Sequence, residues 1–230
     1  MSKNLLIICG QFVPFTRSMG NSVRLFSFGS TLKKKYKINY LFTGSKYFSY
    51  FGFQNDFKKF NLFKVSNKNI FSYIKFIIFR VFFPNIGYLL SYDYASCYYE
   101  NVLKKSIFLI KQKKIKYVIL SAPPFSFFKI GPKLKSEFGE KIKIIFDYRD
   151  GWTTRFDDSN FFINFLKKNS SEKELLNNSD KVICSTETIF NSIKKIVNKK
   201  NVYLIKNGYL PVNKIKSKKS KKINKKIKIG

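Results

Sequence analysis

The sequence predicts an α/β fold built on one doubly wound parallel sheet of the Rossmann-like kind, and three observations lead to it. Short apolar runs suited to strands buried on both faces recur through the 230 residues. Helix-length segments separate them, giving the order strand, helix, strand, helix with short connections. Two successive strands, one opening at Tyr117 and one leading to Asp147, run into the turns Ser121-Ala122-Pro123-Pro124-Phe125-Ser126 and Asp147-Tyr148-Arg149-Asp150-Gly151-Trp152. Ligands of open parallel sheets lie outside the carboxyl ends of the strands, so two such turns mark one functional rim.

Taken in order, Asn4 to Cys9 is the first strand. The loop after it reaches Gly20, and Asn21 or Ser22 caps a helix running to about Lys35. Free backbone N–H groups at such a helix start can hold phosphate. The glycines are not spaced G-x-G-x-x-G, which argues against a nicotinamide or flavin dinucleotide site. Lys37 to Phe42 is the second strand, and Asn61 to Val65 the third. Between them, Thr43 to Lys59 forms a long loop whose Tyr47, Phe48, Tyr50, Phe51 and Phe53 either pack onto the domain or dock on a lipid surface or an acceptor.

Ile70 to Phe83 supports two readings. One is a helix lying in a membrane interface, with Lys75 and Arg80 reaching up to phosphates; the other is a buried core helix. Pro84 and Asn85 interrupt the pattern, and Tyr88 to Lys111 resumes as a longer helix. Lys116 to Leu120 is a strand, followed by a helix from Phe125 to Phe138 with Pro124 in its first turn and Gly139 at its end. Lys141 to Phe146 is a strand, Phe161 to Asn178 a helix, and Val182 to Cys184 a strand whose Ser185 caps a helix from Glu187 to about Val197. Val202 to Ile205 is the last strand, closed by Asn207-Gly208. Asn213 to Lys226 is a lysine-rich polar run suited to a linker or tail, and Ile227 to Gly230 reads as the start of another strand.

The formal charge of +32 favours anionic partners such as phosphates, acidic lipid headgroups or nucleic acid. Lys, Asn, Ile and Phe abound together, as biased base composition alone also produces. Cys9, Cys97 and Cys184 are odd in number and widely separated, so neither a disulfide framework nor a zinc site is expected, and a reducing cytoplasm fits. With no histidine in the chain, a Ser/His/Asp triad and a histidine general base are excluded. The apolar part of the N-terminus, Leu5 to Cys9, is shorter than the roughly 7 to 15 residues of a signal-peptide core. Ile70 to Phe83 is shorter than the ~20 apolar residues a membrane span requires.

These residues carry a resemblance. Phe83-Pro84-Asn85 with a helix behind it, Ser121-Ala122-Pro123-Pro124-Phe125-Ser126 with Gly131 following, Asp147-Tyr148-Arg149-Asp150-Gly151-Trp152, the run from Glu174-Leu175-Leu176 to Asp180-Lys181-Val182-Ile183, and Asn207-Gly208 occur in that order. Together they resemble the N-terminal, acceptor-side lobe of a GT-B glycosyltransferase of the family-4-like group, which builds surface polysaccharides or lipid-linked glycans. The resemblance implies residues 1–209 as this lobe, 210–226 as a linker and 227–230 as the first strand of a C-terminal domain holding most of the donor site. It departs from the family where a histidine often follows the Pro-Pro-Phe-Ser turn; Phe127 and Phe128 stand there.

Partners implied are a nucleotide-sugar donor, a glycan or lipid-linked acceptor and an anionic membrane surface on the cytoplasmic side. No cofactor or metal is implied, and nucleic acid falls outside the expected partners. Gly20 and Asn21 would approach the donor diphosphate, with Arg17 and Arg24 neutralising its charge. Asp150 is the catalytic candidate, and Ser121, Pro123, Pro124, Phe125, Arg149 and Trp152 would line the acceptor cleft, Trp152 by stacking on a sugar or by packing the core. Two other readings stay open: a basic nucleic-acid-binding module, whose charge comes with no recognisable motif, and a noncatalytic membrane-surface partner of a separate donor-binding subunit.

Overall fold

The structure, a computed structural model, describes residues 3–12, 20–43, 59–66, 68–156, 161–168, 170–197 and 201–208. Arg17, the aromatic loop residues 44–58, and the expected linker and final strand lie outside them. Seven strands form one sheet: β1 Lys3–Cys9, β2 Tyr36–Phe42, β3 Asn61–Lys64, β4 Tyr117–Ala122, β5 Lys143–Tyr148, β6 Lys181–Cys184 and β7 Val202–Leu204. Every neighbouring pair is parallel, in the order β3-β2-β1-β4-β5-β6-β7. The expected doubly wound fold is therefore the observed one.

Alternation along the strands divides the core between the two faces of the sheet. Leu5, Ile7 and Cys9 join Ile38, Tyr40, Phe42 and Ile119 on one face, where Leu25 and Phe26 of α1 (Gly20–Leu32) cover them. Leu6 and Ile8 join Val118, Leu120, Ile144 and Phe146 on the other. That second face is covered by α4 (Tyr99–Lys113), α5 (Ile130–Phe138), α7 (Glu172–Asn177) and α8 (Glu187–Ile196). The remaining helices are α2 (Ile70–Phe82), α3 (Pro84–Leu89) and α6 (Phe161–Lys168).

Local chemistry sets the helix ends. Asn69 caps α2 by accepting from the Ser72 N–H at 3.1 Å. Gly139, at φ +55, closes α5 in a conformation that costs a residue with a Cβ.

Six sequence expectations are corrected. α1 already begins at Gly20, so Asn21 and Ser22 lie within it rather than capping it. The helix expected from Phe125 is a 3-10 helix over Phe125–Lys129 followed by α5 from Ile130. The buried-core reading of Ile70 to Phe83 fails, because no residue of α2 is buried. The helix expected from Tyr88 starts at Tyr99 instead. Ser91 takes a left-handed φ of 55, and the Asp93 carboxylate accepts from the Ala95 N–H, competing with helix formation. The helix expected over Phe161 to Asn178 is two, α6 and α7. Thr186 rather than Ser185 caps α8; the Ser185 hydroxyl donates to the Arg149 carbonyl at 2.7 Å.

Candidate functional site

The two turns meet at the C-terminal edge of the sheet. β4 and β5 are neighbours, with Ser121 in register with Asp147 and Ala122 with Tyr148. The Arg149 N–H donates to the Ala122 carbonyl at 2.9 Å, and the Arg149 guanidinium donates to the Pro123 carbonyl. The peptide bonds preceding Pro123 and Pro124 are both cis. On the other side of β4, β1 runs out at Gly10, where a Cβ would sit 2.0 Å from the Tyr94 hydroxyl and 2.6 Å from Pro124 Cδ. Only glycine allows this approach. β1 and β4 flank the point where the winding direction of the sheet reverses, the place where such folds open a crevice.

Beneath the rim lies a buried ion pair. Asp147 Oδ1 accepts from Arg24 Nε at 3.0 Å and Nη2 at 2.9 Å, and its Oδ2 accepts from the Ser121 hydroxyl at 2.8 Å. Arg24 Nη1 donates to the Ile205 carbonyl at 2.6 Å and to Asn207 Oδ1 at 3.0 Å. One arginine from α1 thus ties together the ends of β4, β5 and β7, with its charge balanced inside the fold. Ser121 and Asp147 are fully buried and belong to this brace.

The second brace holds the turn after β5. Trp152 is fully buried, stacks on Phe125 at 5.0 Å and 16°, and donates from Nε1 to the Tyr88 carbonyl at 3.1 Å. Tyr88 in turn donates from its hydroxyl to the Gly151 carbonyl at 2.9 Å. Glu172 at the start of α7 accepts from the Thr153 N–H at 3.2 Å and from the Thr153 hydroxyl. Burial pushes the Glu172 carboxyl above the usual carboxylate range, which the Thr153 bonds only partly offset. Glu172 lies inside the helix expected over Phe161 to Asn178. Its spacing to Leu175 and Leu176, three and four residues on, places it on the buried face of α7 and is the signal that finds it.

A third carboxylate anchors the proline turn. Asp93 accepts from the Ser126 N–H at 3.0 Å and its hydroxyl at 2.6 Å, so it caps the short 3-10 helix Phe125–Lys129. Burial raises the Asp93 carboxyl despite these bonds, and desolvation lowers the nearby Lys129 ammonium.

The rim therefore contains both exposed residues and residues buried beneath it. Asp150 is exposed and Arg149 half-buried. Gly20 and Asn21 form the first turn of α1. Phe125 and Trp152 are packed against each other in the interior. Burial pushes the Cys9 and Cys184 thiols up to about 12, so neither supplies a thiolate at neutral pH. Among the described residues no cluster of histidine, cysteine or carboxylate side chains suits a metal ion. What remains exposed at the rim is the Asp150 carboxylate, while the half-buried Arg149 guanidinium is engaged by the Pro123 carbonyl.

No family model matches the sequence, and no curated protein matches it. Solved structures are similar to the chain. Phytolacca americana UGT2, complexed with UDP-2fluoro-glucose and pterostilbene, aligns with a TM-score of 0.54 and 9% identity over 90% of this chain and 54% of its own. A UDP-glucosyltransferase from Polygonum tinctorium capable of glucosylating indoxyl aligns with a TM-score of 0.47 and 11% identity over 91% of this chain and 53% of its own. The chain thus spans about half the length of the glycosyltransferase structures it matches, and it has a Rossmann-like α/β fold in common with the first of them.

Proposed function

We propose that this chain is the acceptor-side lobe of a GT-B, family-4-like glycosyltransferase. It would carry a glycan or lipid-linked acceptor to a sugar held on a nucleotide by a second lobe, in the synthesis of surface polysaccharide on the cytoplasmic side of the membrane. The observation that carries the reading is the junction of the Pro123-Pro124 turn with the Arg149-Asp150 turn beside the reversal point of the sheet. In this reading Asp150 contacts the acceptor hydroxyl, Arg149 fixes the cleft wall, and the first turn of α1 with Gly20 and Asn21 faces the donor diphosphate. Arg17 keeps its proposed role at the phosphates. Arg24, Ser121, Phe125 and Trp152 hold the cleft in shape from below.

The exposed apolar face of α2 supports docking on the membrane. Phe71 is 76% exposed and Phe82 70%, with Ile70, Ile74 and Val81 beside them. At 100° per residue, Lys75 and Arg80 fall on opposite shoulders of this face, the arrangement of a helix lying in an anionic interface. No described helix is long and apolar enough to cross the membrane.

The test is transfer from a panel of nucleotide sugars to a lipid extract, read by mass spectrometry, with the chain alone and with a donor-binding lobe supplied. Expected are no transfer by the chain alone, transfer by the pair, and its loss in Asp150→Asn. Efficient transfer by the 230-residue chain alone overturns the division into two lobes; full activity in Asp150→Asn removes that residue from the chemistry.

A further inference from the structure

Between α2 and the proline turn lies a cavity of about 190 Å³. Two ammonium groups line it, Lys75 from α2 and Lys129 from the 3-10 helix Phe125–Lys129, together with Ser72, Ser91, Ser96 and Ser126. No acidic side chain lines it. Behind the wall the Asp93 carboxylate accepts from Ser126 and the Ala95 N–H and faces the Lys129 charge. The Ser91, Ser96 and Ser126 hydroxyls donate inward, to the Leu90 carbonyl, the Asp93 carbonyl and the Asp93 carboxylate. Lys129 donates to the Leu90 carbonyl at 3.1 Å, which fixes its stem and leaves two further ammonium protons. Lys75 is exposed at the mouth, on the shoulder of the apolar face of α2.

From this geometry we infer that the cavity is a binding site for the terminal phosphate of a membrane lipid, with Lys75 and Lys129 as its cationic ligands. The inference rests on the proposed membrane docking of α2 and deepens it by naming the headgroup. A volume of about 190 Å³ holds about six waters at ~30 Å³ each, which is room for a phosphate monoester and its first carbons. A terminal phosphate carries roughly −1.5 to −2 charges at neutral pH and three acceptor oxygens, matching two ammonium groups better than a singly charged diester does. With the apolar face of α2 in the acyl region, Lys75 sits at the level of the phosphates.

The experiment is vesicle co-sedimentation of the whole chain on phosphatidylcholine mixed with phosphatidic acid, or with phosphatidylglycerol at matched surface charge. Expected is tighter binding to the phosphatidic acid vesicles. Lys75→Ala should remove that preference, about a fivefold effect for one lysine near the surface. Arg80→Ala makes the same charge change on the other shoulder, so it should weaken both kinds of vesicle alike and keep the preference. Equal behaviour of the two variants, with vesicle binding retained, overturns the pocket while leaving the docking of α2 intact.

If the chain binds no vesicle, the docking reading falls instead, and the pocket is then read by glycerol 3-phosphate titration followed by amide NMR. Saturable shifts at Ser96 and Ser126 that Lys75→Ala abolishes would support the phosphate site but overturn its lipid source. No shifts would overturn the site itself.

Discussion

The proline rim and helix α2 use aromatic residues in opposite ways. At the rim, Phe125, Phe127, Phe128, Tyr148 and Trp152 are almost wholly buried; Phe125 stacks on Trp152 and meets Phe128 edge-on, and Phe128 stacks on Phe146 of β5 at 4.2 Å with the rings 4° apart. On α2, Phe71 and Phe82 are exposed, and among the described residues the ring stack the helix makes is Phe79 on Tyr92 at 4.5 Å. The difference shows that the high aromatic content serves two ends. One part fixes the two turns against the sheet edge, leaving Asp150 exposed on them. The other is an apolar face with nothing among the described residues packed outside it.

The comparison breaks first at Arg24. Arg24→Met leaves Asp147 buried without its counter-charge and should cost about 3 to 5 kcal/mol in urea unfolding. A loss below about 1 kcal/mol would mean that the rim stands without this brace. Next comes the aromatic contrast itself. Phe128→Ala should destabilise by about 3 to 5 kcal/mol, whereas Phe71→Ala should move stability by no more than about 0.5 kcal/mol while weakening vesicle binding. Comparable losses of stability at both positions would place α2 in the folded core.

The smallest effect is a pH slope at Glu172. A raised carboxyl in the native state keeps a proton that the unfolded chain has released, so stability falls as pH rises from the usual glutamate range to the native value. Glu172→Gln should abolish this fall, a change of at most about 1.4 kcal/mol per pH unit, visible in melts from acid to neutral pH. Asp180 has the opposite sign. Burial pushes its carboxyl up, but the Ile144 N–H, Lys135 and Lys143 together bring it below the usual range. Its contribution is present above that range and fades on acidification.

Much of the fold was legible in the chain. β1, β2 and β6 lie within a residue or two of the expected bounds because buried parallel strands read as largely apolar runs. Both turns of the rim were visible because Pro-Pro and the cluster Asp147, Arg149, Asp150 follow such runs directly. Less legible was which of the rim's residues face outward. Arg24, read as a phosphate ligand, reaches Asp147 across 123 positions of sequence, and no local pattern announces a partner so distant. Asp93 likewise looked like one turn of a long helix until the fold brought Ser126 to it.

The amino-acid order alone determined the wound parallel sheet and the two polar, proline-bearing turns at its edge, because strand burial and turn chemistry are written over a few neighbouring residues. Only the tertiary structure decided which charges are spent inside the fold and which remain for a ligand. Pairing in three dimensions depends on residues far apart in the chain, and burial sets the worth of each charge.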